Sequence, residues 1–372
     1  MATDTYQAAV LTELGAPLQL ETRTIPQPAQ GSAVVKVLAA PVLPYMKQVL
    51  DGTRGYPLTL PIVPSSSCIA RVHAVAGDAV RLRPGQLVLC DLTIRARDQP
   101  ATTILQGLNA FSAPALMAQW ADGSFAEYAV FPLENVFALD EDRLLRRLGY
   151  SVEDLCLISA CNVAFGGLAA LDVKPGEKVV VCPATGRFGG AAVATALAMG
   201  ARVWAAGRNA ETLRALALPY ADTGRIETVV LGGDLEQDKK TLLETAGGEG
   251  FDCYVDFSPP QAADSNHIQA CLGSLRPFGR AVLNGGSLGA VSIPYLELML
   301  KSLRIYGRFM YEREHTVRLI QMVEAGLLPL GDRINSKTVG RFKLDQIYEA
   351  MELASKESGW GKQVVLLPQG RE

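Results

Sequence analysis

The chain of 372 residues is too long for one small core, and its 49% hydrophobic and 20% charged residues mark an ordered globular protein of about two domains. A net charge of −3 without any long basic run excludes the electrostatic footprint of a nucleic-acid or anionic-membrane binder. Seven scattered cysteines with no C-x-x-C pair exclude a disulfide framework and point to a reducing, cytoplasmic setting.

"MATDTYQAAVLTELG" lacks the basic start and apolar core of a signal peptide, and no apolar run is expected to span a bilayer. Roughly the first 150 residues read as short strands between Gly and Pro turns: "QAAVLTEL", "SAVVKVLAAPV", "CIARVHAVA", "QLVLCDL" and "FAEYAVF". Within this region "PIVPSSSCIARV" (61–72) sets Ser65, Ser66 and Ser67 inside an otherwise apolar run. Near residue 151 the pattern changes, with Ser151 as the expected N-cap of a helix through "LISACNVAFGGLAAL". Apolar strands then alternate with helical runs: "EKVVVCP", "RVWAAGR", "ETVVLG", "FDCYVDFS", "GRAVLNGG" and "LRIYGRF". That alternation predicts a doubly wound α/β domain whose parallel sheet is covered on both faces. The tail, with "SKTVGRF" and "GKQVVLLP", is expected to complete the first domain. The expected partition is therefore 1–152 with 310–372, and 153–309.

The strongest local signal is "VVVCPATGRFGGAAVATALAMGARVWAAGRN", residues 179–209. A strand runs into a turn carrying Gly186 and Gly189, and a helix follows at once. Glycines let the backbone approach a pyrophosphate, and a helix N-terminus offers it free N–H groups and a positive dipole. Thr185, Gly186, Arg187, Phe188 and Gly189 are the expected contacts. Pro183 stands where the first glycine is usual, so the glycines taken alone are a weak signal, with an ordinary tight turn as the alternative. The strand–helix–strand context favours the dinucleotide. At the end of the second strand an NAD enzyme would place an acid on the ribose 2′-hydroxyl. Here stand Gly207, Arg208 and Asn209, and no acid precedes Glu211. A guanidinium suits a 2′-phosphate by charge and geometry, although a solvated charge at a strand end is the bland alternative. The expected cofactor is NADPH.

"GSFAEYAVFP" (123–132), "VKPGEKVVV" (173–181), "SIPYLELMLKSLRIYGRF" (292–309) and the terminal "GKQVVLL" occur in the order found in medium-chain dehydrogenase/reductases, which the chain resembles throughout. The resemblance implies a GroES-like β domain interrupted by a Rossmann domain. It also implies cofactor contacts at Gly285 and Lys362, and pairing of Rossmann sheets into a homodimer. Zinc members carry Cys-His after "AAGV" and Gly-His-Glu after "VP"; this chain has Leu43 and Pro44, and Ser65 to Ser67, there. Cys161 lies near the third ligand position, residues 91–122 hold no cysteine, and the chain has three histidines. Hydroxyls are poor zinc ligands beside thiolate, imidazole and carboxylate, so no metal site is expected. The serines are expected to form a small polar pocket wall rather than a nucleophile, because only His73 is close in sequence and nothing orients it.

Without zinc, a phenol is the candidate donor to the oxygen that gains charge during hydride transfer. The resemblance points to Tyr45, in "VLPYMK", where zinc members place a proton-relay hydroxyl. "PYM" is also similar to "DPYM" of zinc-free alkenal and prostaglandin reductases, with Leu43 in place of Asp. Tyr56, in "DGTRGYPLTLP", matches the tyrosine of mitochondrial-type 2-enoyl reductases. Either is equally read as a packed ring with a wet hydroxyl. Met46, Phe165 and Met310 are candidates for lining an apolar pocket or for plain core. The expected activity is NADPH-dependent reduction of an enone, enal, enoyl or quinone double bond in a small apolar substrate. Zinc-free carbonyl or imine reduction, and a non-catalytic NADPH-binding protein, remain the alternatives.

Overall fold

The strand–helix alternation after residue 170 folds into a six-stranded, all-parallel sheet. Its strand order is Ile226–Val230, Arg202–Gly207, Lys178–Cys182, Phe251–Asp256, Leu275–Leu283 and Arg304–Gly307. The first strand in sequence lies third, so the chain winds outward in both directions from the seam between Lys178–Cys182 and Phe251–Asp256. Ligands bind at such a reversal, beyond the carboxyl ends of the strands. Cys182 pairs with Asp256 across it, which brings the turn at 183–186 and the segment 256–258 to one place. Continuous apolar runs are required because helices cover the sheet, and Val179, Val180, Val181, Val203 and Val255 are fully buried.

This is a computed structural model, and it describes residues 4–262 and 264–370. The chain divides into two units: residues up to Ser159, Lys337–Ser358 and the chain from Lys362 form the first, and Ala160–Ser336 with Gly359–Gly361 the second. The first unit is built on a mainly antiparallel sheet in which Ser32–Pro41 is central. That strand pairs with Cys68–Val75, Tyr128–Pro132 and Lys362–Leu366, and Lys337–Phe342 adds outside the last. The tail thus completes the first unit, but only from Lys337.

The expected assignment of 310–336 to the first domain is corrected. Helix Arg313–Glu324 packs within the second unit, where His315 meets Phe165 edge to face at 5.7 Å. At Gly166 a Cβ would fall 2.3 Å from Met310 O, so the chain at 310 lies directly against the helix Ile158–Ala170. Ser151 caps as expected: its Oγ accepts the Asp154 N–H at 3.1 Å, and Asp154 Oδ2 accepts the Ser151 N–H at 2.9 Å. Val152–Ala170 is 19 residues long and apolar enough to cross a membrane by length and composition, but 67% of its apolar window is buried inside the protein, as in a core helix.

Candidate functional site

In the second unit the cofactor turn follows strand Lys178–Cys182 and leads into helix Arg187–Ala198. Gly186 is the N-cap. It supplies no side-chain cap to the first-turn N–H groups, and nothing lies within 4 Å of where its Cβ would be. At Gly189 a Cβ would fall 2.0 Å from Pro183 O, which is why the turn can close only on glycine. Thr185 and Gly207 are neighbours: a Cβ on Gly207 would be 3.8 Å from Thr185 Cγ2. Phe188 stacks on Phe257 with ring centres 6.0 Å apart, joining the helix start to the end of strand Phe251–Asp256.

Arg208 is exposed just past strand Arg202–Gly207 and makes no ion pair among the described residues. Its neighbour Asn209 has a different task. The Asn209 Oδ1 accepts the N–H groups of Glu211 and Thr212 at 2.9 and 3.0 Å, capping the next helix. Arg187 turns inward, and its side chain is buried beside Cys161. Burial pushes the Cys161 thiol up to about 12, with Thr195 and Arg187 pulling the other way. Lys362 belongs to the first unit and pairs with Glu357.

Gly285 is placed by a network that sequence reasoning missed. A Cβ there would meet Ser258 N and O at 2.6 Å. Ser258 Oγ donates to Asp256 Oδ1 and lies 2.8 Å from His267 Nε2, while His267 Nδ1 lies 2.8 Å from Ser265 Oγ. Asp256, Ser258 and His267 are all buried, so the chain of bonds pins the end of the strand at the seam of the sheet. Trp360 was also missed. Its backbone N–H donates to Thr185 O at 3.0 Å, and its ring covers Gly190, where a Cβ would come within 2.1 Å of Cγ. Gly186 and Gly189 carried the signal for a close approach; what approaches Gly190 lies 170 residues away and has no local signature.

In the first unit Tyr45 is the half-buried N-cap of helix Met46–Leu50, and its ring meets Tyr56 edge to face at 6.4 Å and 75°. The structure therefore brings together the two candidate phenols. The serine triplet is tied into the interior. Ser65 Oγ lies 3.2 Å from Ser124 Oγ and accepts the Ser124 N–H at 3.1 Å, and Ser67 Oγ donates to Asp91 Oδ1 at 3.3 Å. Gly123 permits this, since a Cβ there would fall 2.2 Å from Ser65 Cβ. Among the described residues Ser66 Oγ is buried without a partner, and His73 is exposed on its strand against Tyr128, so the triplet is not paired with His73. Met46 and Phe165 are core, and Met310 sits at a positive φ of 53°. A cavity of about 470 Å³, lined in part by Arg95, Trp120 and Glu134, includes none of the predicted site residues.

No group of three or more His, Cys, Asp or Glu among the described residues is placed to hold a metal ion. The donor chemistry at the zinc positions agrees, since Leu43 and Pro44 carry no ligand atom and Ser66 only a hydroxyl. The turn at 183–189 does fit a dinucleotide.

Two families match along the chain: "Alcohol dehydrogenase GroES-like domain" over residues 29–141 and "Zinc-binding dehydrogenase" over 188–325. An alcohol dehydrogenase of Moraxella sp. (strain TAE123) is 26% identical, with 86% of this chain and 89% of that one covered. A quinone oxidoreductase of Pongo abelii is 24% identical over 95% and 96%. The crystal structure of a zinc-binding dehydrogenase from Sinorhizobium meliloti 1021 bound to NADP superposes with a TM-score of 0.75 at 19% identity, covering 98% of this chain and all of that one.

Proposed function

The chain belongs to the medium-chain dehydrogenase/reductase superfamily of oxidoreductases, and from this we propose an NADPH-dependent reductase that works without zinc on an activated carbon–carbon double bond. One observation carries the reading: where zinc chemistry needs thiolate, imidazole or carboxylate donors, this chain has Leu43, Pro44 and hydroxyls, and two phenols lie edge to face in the same unit. NADPH, when bound, supplies the hydride. The uncapped first turn of helix Arg187–Ala198 takes the pyrophosphate, and Arg208 takes the 2′-phosphate. Tyr45 donates its O–H to the substrate oxygen on which negative charge builds, with Tyr56 as the second choice. Enones, enals, enoyl compounds and quinones fit such a site as small, largely apolar substrates.

Reduction of a carbonyl or imine is the second reading, favoured by the likeness to the alcohol dehydrogenase of Moraxella sp.. NADPH oxidation against a panel of enones, quinones, ketones and imines tests both. We expect turnover of the double-bond substrates that survives chelator, with no stoichiometric zinc by elemental analysis. Turnover of ketones alone, or a tightly held zinc, overturns the proposal. A non-catalytic NADPH-binding protein is the outcome if nothing in the panel is reduced. We further propose a cytoplasmic homodimer. All seven thiols are free and buried, and the edge strand Arg304–Gly307 follows an uncovered apolar helix.

A further inference from the structure

Arg54 lies between the two phenols. Its Cζ is 3.9 Å from the centre of the Tyr45 ring and 5.2 Å from that of Tyr56. The loop that carries it turns through Gly52 and Gly55, at φ of 80° and 71°, and the Arg54 N–H donates to Gln48 O at 2.8 Å. Asp51 is the nearest carboxylate in sequence, and it is engaged elsewhere. It accepts the Thr53 N–H at 2.9 Å and the Thr53 O–H at 2.6 Å, which hold its carboxyl below the usual range. Arg54 donates only a long 3.4 Å bond from Nη1 to Gln48 Oε1, and its Nε is buried without an acceptor. Among the described residues it has no carboxylate partner.

Aromatic stacking uses the faces of a guanidinium and leaves its N–H fork free in the plane, where it matches two oxygens of a carboxylate or phosphate. Buried polar groups in folded proteins are satisfied as a rule, so an exception calls for a ligand that meets it. We infer that Arg54 is the anion anchor of the substrate site: the substrate carries a carboxylate or phosphate whose oxygens take the in-plane N–H groups, while Tyr45 and Tyr56 hold the guanidinium. The inference rests on reading the two phenols as the site of reduction. It narrows the substrate from any apolar enone to one with an anionic group.

Calorimetric titration of the full chain with β-acetylacrylate, an enone that carries a carboxylate, and with its methyl ester tests the anchor without turnover. The wild type should bind the acid at least about tenfold more tightly than the ester, the scale of one charge-assisted pair. Arg54→Gln should weaken the acid alone and erase the difference, and Arg54→Lys should restore part of it as a point charge. Inorganic phosphate competing with the acid assigns the anchor to either anion, and failure to compete assigns it to carboxylates. Equal or undetectable binding of acid and ester to the wild type overturns the inference, as does an equal loss of both in Arg54→Gln, which would make Arg54 a structural staple. Turnover of the same pair with NADPH is read separately. A binding preference without turnover keeps the anchor and removes the reductase, whereas equal KM and kcat for acid and ester keep the reductase and remove the anchor.

Discussion

At the scale of single residues, a 2′-phosphate differs from a 2′-hydroxyl mainly in charge, and Arg208 is the exposed charge at the end of the second strand of the sheet. Arg208→Ala should weaken NADPH binding by about 10-fold to 100-fold and leave NADH nearly unchanged, measured by fluorescence titration with each cofactor. An equal loss for both would mean that Arg208 supports the loop without reading the phosphate. Tyr45→Phe deletes one hydroxyl and keeps the ring against Arg54 and Tyr56. We expect kcat to fall by about 10²-fold with NADPH affinity intact, the lower range for an acid–base group. A change confined to KM would assign Tyr45 to substrate positioning. If neither Tyr45→Phe nor Tyr56→Phe lowers kcat by more than about threefold, the phenol mechanism of charge stabilisation fails.

Elements depend on how their ends are closed, and helix Arg313–Glu324 has a titrating closure. His315 Nδ1 accepts the Glu312 N–H at 3.1 Å, a role open only to the neutral ring. Burial, with Arg308 adding to it, holds the pKa of His315 below its ordinary 6.5. The unfolded chain therefore takes up this proton more readily than the folded one. The stability linked to His315 is present above about 6.5 and is lost as pH falls from there through the folded value. Urea midpoints followed from neutral pH down to about pH 5 should decline below 6.5 in the wild type and decline less in His315→Asn, which cannot titrate. Identical slopes would show that the ring carries no linked stability. The glycine turn is the other element held by a tight closure, since any side chain at 189 collides with Pro183 O.

For the whole molecule, the question is what covers the edge of the parallel sheet. Strand Arg304–Gly307 pairs on one side only, and helix Tyr295–Leu300 just before it buries none of its residues. Leu288, Tyr295, Leu296, Met299 and Leu300 are exposed together in sequence with that edge. An apolar edge of this kind is a pairing surface in many proteins. Light scattering on the purified chain should give the mass of two copies, and Leu296→Glu with Leu300→Glu should give one. A monomeric wild type would refute the dimer.

Local signals were enough for the layers of this protein. Strands buried on both faces must be continuously apolar, and "EKVVVCP", "RVWAAGR" and "FDCYVDFS" were readable as parallel strands on that ground alone. Ser151 was readable as a cap because capping acts over three residues. The first glycine turn and the absence of zinc donors after "AAPV" and "VP" were readable for the same reason, being properties of contiguous residues. The rest required the folded chain. The hairpin Thr93–Arg95 with Thr103–Leu105, the return of 310–336 to the second unit, Trp360 over Gly190, and the Asp256–Ser258–His267 network were not visible beforehand. Arg54 stands between the two tyrosines in sequence without a local signal, because its meaning lies in a ring face 3.9 Å away. Periodicity and capping are written along the chain, whereas contacts between side chains whose spacing follows no helical or strand period leave no trace until packing creates them.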